Sequence, residues 1–238
     1  MITDDDYYRL RVVRRLPIAE PADLEEPLDG LVRALARRGS LLFEPSGLSP
    51  AMQTTRVLQG KQSLVHAFLS TSEIKWNFGR EPSDPTHEIV LFNTEHGPRA
   101  VVLRLSFVAY GAASTAPGLV AELTLGPDAA GPADNGRGEH LDELFSMLLA
   151  ALRPDHGHVK LPGHPEGKEP PDGYDVGWIT YFSRAERPMP PDLCPPAVSV
   201  PTEAGAKIFA TPALALERYA DVAAAIERVR EQVVAHSR

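Results

Sequence analysis

The residues best equipped for chemistry lie between Pro154 and Lys168. Pro154-Asp155, followed by Glu166-Gly167-Lys168, matches as text the signature of restriction-like nucleases. In that chemistry two carboxylates hold magnesium and a lysine polarises the attacking water. The second half of the signature must sit on a rigid strand. Here it falls in His164-Pro165-Glu166-Gly167-Lys168-Glu169-Pro170-Pro171. Proline and glycine at that density make a solvated loop, which does not hold three groups to fractions of an ångström. The segment reads as a loop.

His156, His158 and His164 are the second constellation. A His-x-His pair on a strand puts both imidazoles on one face, a geometry zinc uses, with His164 or Asp155 as a third ligand. No helical His-Glu-x-x-His accompanies them. Histidines beside a loop are ordinarily exposed, so no metal is assigned. A metal-assisted hydrolase built on His156, His158 and His164 is the alternative enzymatic reading. Cys194 lies between Leu193 and Pro195. A cysteine nucleophile needs a base and a depressed pKa, and the sequence supplies neither. Gly136-Arg137-Gly138 echoes a phosphate loop, but the third glycine is missing and a long loop precedes it, so it reads as a flexible connector. The Gly177-Trp178 pair marks close packing with the indole in the core; a ligand platform is the second reading. Trp76 suits a partner anchor or burial against a neighbouring helix. No catalytic residue and no cofactor is assigned.

The elements that would position these groups follow from periodicity. Tyr8, Leu10, Val12 and Leu16 alternate with Arg9, Arg11 and Arg15, which predicts a strand over 7–16. Leu24, Leu28, Leu31, Val32 and Leu35 predict a helix over 24–38, against which Pro27 and Gly30 count. A short strand over 41–43 and a helix over 61–70 follow. Strands over 88–93, 100–110 and 119–125 form a meander joined by turn-like connectors. Leu141, Leu144, Phe145, Leu148, Leu149 and Leu152 make the stripe of a helix over 139–152, ended by Pro154. A short strand over 158–161 comes next. Residues 154–201 hold 11 of the 23 prolines, which prevents long regular elements there except at 176–183. A strand over 206–210 leads to a last helix starting at Thr211-Pro212 and running to Ala235.

Strands cluster in the meander, so the class is α+β: a mostly antiparallel or mixed sheet with about four helices packed on it. The chain, 1–238, reads as a single domain. A helix flanked by strands occurs before residue 126 and again after it, which suggests pseudo-duplicated halves, 1–126 and 139–238. Of the 238 residues, 43% are hydrophobic and 24% charged, ordinary for a globular protein and too apolar for a disordered one. No run approaches the ~18 apolar residues of a membrane span. The opening Asp4-Asp5-Asp6 is not the basic stub of a secretory signal, and a single cysteine allows no internal disulfide framework, so a cytoplasmic protein is expected. The net charge of −8 argues against direct nucleic-acid binding and suits a basic protein partner.

Three features together resemble a known family. They are Leu42-Phe43-Glu44-Pro45-Ser46-Gly47 after the first strand and helix, the leucine-rich helix ending at Leu152-Arg153-Pro154-Asp155, and Asp175-Val176-Gly177-Trp178-Ile179-Thr180-Tyr181-Phe182-Ser183-Arg184. The last is followed by Glu203-Ala204-Gly205-Ala206-Lys207-Ile208-Phe209 and a terminal helix. This layout resembles the immunity protein 52 family of bacterial polymorphic-toxin systems. The Gly-Trp-x-x-Tyr segment is its most specific part. The nearest counterpart of the tryptophan–tyrosine pair in the family's first strand is Tyr7-Tyr8. The resemblance implies a non-catalytic immunity protein, an antitoxin in bacterial competition. It would bind and neutralise a cognate toxin of the restriction-endonuclease-like nuclease class by blocking its active site or substrate surface. Two long loops, 126–138 and 163–175, could supply a contact surface. Glu166, Glu169, Asp172 and Asp175 give the second its negative charge and are the candidate toxin-binding residues.

Overall fold

Strand β1, Tyr8–Arg15, sits in the middle of the sheet rather than at an edge. The computed structural model describes residues 6–15, 25–36, 44–45, 87–92, 97–108, 118–131, 136–165, 175–185, 193–212 and 219–235. Among these, eight further strands occur: β2 (Glu44–Pro45), β3 (His87–Phe92), β4 (Val101–Val108), β5 (Gly118–Leu125), β6 (His156–Lys160), β7 (Ile179–Ser183), β8 (Val198–Pro201) and β9 (Gly205–Phe209). Their order is β2-β3-β4-β5-β1-β6-β7-β9-β8, and every pairing is antiparallel. The helices among the described residues are α1 (Glu25–Ala36), α2 (Gly136–Leu152) and α3 (Tyr219–Ala235). The α+β class is therefore as expected. The helix expected over 61–70, the strand over 41–43 and Trp76 lie outside the described residues. The last helix is described only from Tyr219, and residues 213–218 after Thr211-Pro212 lie outside them too.

Period-two alternation assigns the faces. Tyr8, Leu10 and Val12 are buried, and they lie opposite Leu125, Leu123 and Ala121 of β5. On the other edge Leu10 meets Val159 and Val12 meets Gly157 of β6. Through β7 and β9 the same face continues to Tyr181 and Lys207. Helix α2 covers it: Arg137 reaches the Tyr8 hydroxyl, Phe145 lies against Gly157, and Lys207 reaches back to Asp142. Helix α1 packs on α2 and buries Leu28, Leu31, Val32 and Leu35. Pro27 is harmless there, because first-turn N–H groups have no partner within the helix. Burying each such leucine is worth about 1.5–3 kcal/mol before the entropy of ordering it is subtracted.

On the reverse face Arg11 lies opposite Glu122, and Glu122 opposite Arg104, a cross-strand row of alternating charge. Helix α3 covers the β6–β7 part of that face, burying Val222, Ala225, Ile226, Val229 and Val233. The two segments of the chain share one sheet and one core. The described elements run β1-α1-β2-β3-β4-β5 and then α2-β6-β7-β8-β9-α3, so their order is not repeated, and the expected pseudo-duplication is not borne out.

Two local readings are corrected. Gly136-Arg137-Gly138 is the first turn of α2 and not a connector. Arg137 is buried there, donating to the carbonyls of Pro127 and Gly131 and to Tyr8 Oη. The proline-rich stretch holds, besides β6 and β7, an unexpected strand, β8. It is short, exposed and at the sheet edge, which is where proline is tolerated.

Close backbone approach explains Gly177. The Trp178 N–H donates to the Val159 carbonyl at 2.8 Å, and a Cβ on Gly177 would overlap that carbonyl's oxygen. Gly177→Ala is expected to cost about 1–3 kcal/mol or more, as overpacking against rigid backbone does. It should appear as a lower urea midpoint with unchanged slope. An unaltered midpoint would contradict this packing.

Candidate functional site

Polar chemistry concentrates beneath α3. β6 carries His156, His158 and Lys160 on the α3 face because Gly157 and Val159 take the α2 face. His164 lies just past β6, in a turn closed by its N–H donating to the Leu161 carbonyl at 3.1 Å. Asp175 enters from the segment leading to β7. Tyr219, Glu227 and Arg230 descend from α3, the last two three residues apart on one face.

All three sequence-selected histidines are buried, contrary to the exposure expected of them. β6 is hydrogen-bonded on both edges and roofed by a helix, which no local signal announces. Lys160 forms an ion pair with Asp175, their side chains only 14% and 20% exposed. Arg230 Nη2 approaches the second oxygen of Asp175 at 3.9 Å and binds Glu227 through Nη1 at 2.6 Å. The Tyr219 hydroxyl donates to Glu227 at 3.0 Å. A continuous chain of polar contacts therefore runs from β6 through Asp175 to α3. The His164 ring stands edge-on to Tyr219, centroids 4.5 Å apart. The Tyr219 N–H donates to the Pro162 carbonyl at 2.9 Å.

Burial pushes the His158 pKa well below its ordinary value; Asp175 opposes this, and Lys160, Arg11 and His156 reinforce it. Burial, with help from Lys160, pushes His164 down to about 4. Both rings are neutral at neutral pH. Burial alone would raise Asp175, but His158 and the Lys160 hydrogen bond outweigh it and leave the carboxyl below its usual range. Burial raises Tyr219, and Glu227 adds to the shift.

A proton store of this kind can take up charge, but its parts are turned inward. Among the described residues no group of three or more His, Cys, Asp or Glu side chains is placed to hold a metal ion. Pro154 and Asp155 lie beside β6, where the Asp155 backbone bonds Val13 and Ser183. Glu166 and Lys168 of the nuclease-like motif lie outside the described residues, as do Glu169 and Asp172 of the candidate toxin contact. Asp175, the fourth member of that set, is engaged by Lys160 and Arg230. Cys194 is exposed, and its N–H donates to Gln232 of α3. Trp178 is buried as expected, its Nε1 donating to the Thr211 carbonyl at 2.9 Å.

Sequence reasoning did not single out Lys160, Arg230, Tyr219, Glu227 or Lys207. Lys207 lies under α2, donating to Asp142 Oδ1 and, at 3.1 Å, to Ser146 Oγ. The spacing is that of a serine–lysine dyad. Such a dyad needs the amine lone pair to accept the serine proton, whereas here Nζ is the donor to both. Lys207 ties β9 to α2. No protein-family model matches the sequence, and no curated protein matches it either.

Asp175→Asn keeps the shape and removes the charge that Lys160 and Arg230 face. It is expected to cost about 1–3 kcal/mol at neutral pH, less than a fully buried pair because the site is partly wet. The folded carboxyl titrates below its unfolded value of 3.8, so its contribution is present above 3.8 and lost as pH falls through the folded value. The stability gap between wild type and variant should therefore close in acid. Urea titrations across pH measure it, and a gap independent of pH would refute the ion-pair account.

Proposed function

We propose that this chain is an immunity protein of the immunity protein 52 type, which binds and neutralises a cognate polymorphic toxin without turnover of its own. The toxin class is a restriction-endonuclease-like nuclease, blocked at its active site or substrate surface. The Asp175–Arg184 segment, the most specific part of the resemblance, supports the reading by its use. Gly177 admits the β6 backbone, Trp178 is buried and bonded to Thr211, and Tyr181 lies in the core. A shared motif of that kind maintains a scaffold and leaves the contact surface to vary.

One observation carries the proposal. His164 and Asp175, which flank the segment bearing Glu166, Glu169 and Asp172, lie in a single cluster. His164 is packed on Tyr219, and Asp175 is paired with Lys160 and Arg230. An acidic segment flanked by these two anchored residues suits the basic cleft of a nuclease by charge. The net charge of −8 steers the encounter in the same sense.

Co-expression with a toxin-like protein sought among the neighbouring genes tests the reading: growth should depend on the chain. Equal killing with and without it would sink the proposal. Within a working pair, Glu166→Lys, Glu169→Lys and Asp172→Lys together should weaken binding by about 10-fold or more, chiefly through slower association, and less so at high salt. Affinity and protection unchanged by the triple reversal would remove that loop from the interface.

A further inference from the structure

His158 is buried on β6 and His164 just past it, against Tyr219 of α3, and the Nδ1 atom of each meets no hydrogen-bond partner. A neutral imidazole tolerates such a place at the cost of an unmade bond, whereas a charged one must be desolvated as well. The surroundings are already rich in cations. Arg11 faces His158 from β1, Lys160 and His156 flank it on β6, and Arg230 reaches down from α3. Against these stand Asp175, ahead of β7, and Glu227 on α3, together with the neutral phenol of Tyr219. Both carboxylates are engaged, Asp175 by Lys160 and Arg230, and Glu227 by Arg230 and the Tyr219 hydroxyl. Arg11 in turn lies opposite Glu122 of β5, so protons on the histidines would add charge to a buried cluster whose carboxylates are already engaged. The same cluster is where α3 lands, through the His164–Tyr219 ring contact and the Tyr219 N–H bond to Pro162.

We propose that the cluster is an acid-triggered latch: protonation of His158 and His164 releases α3 from the sheet while β1, β4 and β5 remain paired. The latch does not depend on the immunity reading.

The direction follows from linkage. His164 binds its proton with a pKa of about 4 when packed and 6.5 when freed, so the freed state holds more protons between those values. Its contribution to docking is complete above 6.5 and lost as pH falls towards 4. Burial moves His158 in the same direction. From the two His164 values alone, the docking equilibrium should weaken by about 20-fold between about pH 7 and about pH 5.

Amide hydrogen exchange on the full chain, corrected for the intrinsic pH dependence of exchange, reads this directly. Peptides within 219–235 should lose about 20-fold or more in protection over that range, while those within 118–125 stay protected. His158→Gln with His164→Gln should flatten the response of α3. Should that double variant not fold, His164→Gln alone reports the same loss of response. Imidazole proton resonances of the wild type supply the second readout, titrating together with helix exposure. Constant protection of α3, simultaneous loss across both regions, or an undiminished acid response in the variant that folds would each overturn the latch.

Discussion

Strand β1 is hydrogen-bonded on both edges, to β5 on one side and β6 on the other. That double pairing is the constraint on which the remaining architecture depends. It joins the β2–β5 part of the sheet to the β6–β9 part, and it transmits a choice of face from one to the other. Because Tyr8, Leu10 and Val12 bury themselves under α2, the register sends Gly157 and Val159 to the same side. His156, His158 and Lys160 are left for the opposite side. A slip of one residue would put both histidines and the lysine under α2, where Phe145 now packs on Gly157, and would part Lys160 from Asp175. The position of the polar cluster is thus a consequence of the first strand's apolar alternation.

Helix α3 docks on that polar side, and it does so with a mixed surface. Val222, Ile226, Val229 and Val233 supply burial, while Tyr219, Glu227 and Arg230 meet the cluster. Apolar contact is non-directional and would tolerate several placements of the helix. The Lys160–Asp175–Arg230 chain selects among them. A partly buried ion network adds little net stability, since desolvation offsets the attraction. Its effect is on placement: it fixes which turn of α3 lies over β6, and with it the position of Tyr219 against His164.

Much of the scaffold was legible from local pattern. The alternation in β1, β4 and β5 and the leucine stripe of α2 are strong because each element has one dry face. Failures occurred where the deciding contact is remote in sequence. Two glycines around Arg137 signal a loop, but the guanidinium finds Tyr8 and the carbonyls of Pro127 and Gly131, and so ties the first turn of α2 to β1 and to the turn before it. β8 is hard to read from the sequence because it is only four residues long, with Pro201 tolerated at a sheet edge. The histidines were placed near a loop and therefore outside, although β6 is interior. Nothing near Asp175 in the sequence names Arg230 as a partner. The cluster was legible as residue types and illegible as an assembly.

Charge alone is a poor basis for specificity. At physiological ionic strength the field of exposed carboxylates is screened within about 8 Å, so it accelerates encounter without choosing among basic partners. Choice has to come from shape, and shape has to be held. The cluster beneath α3 holds both ends of the 166–174 segment, His164 at one and Asp175 at the other. Loss of the Asp175 pairing or protonation of His164 would disturb the helix and the loop ends together, because the same side chains serve both. On the proposed reading, a partner that held His164 and Asp175 in place would in turn stabilise α3.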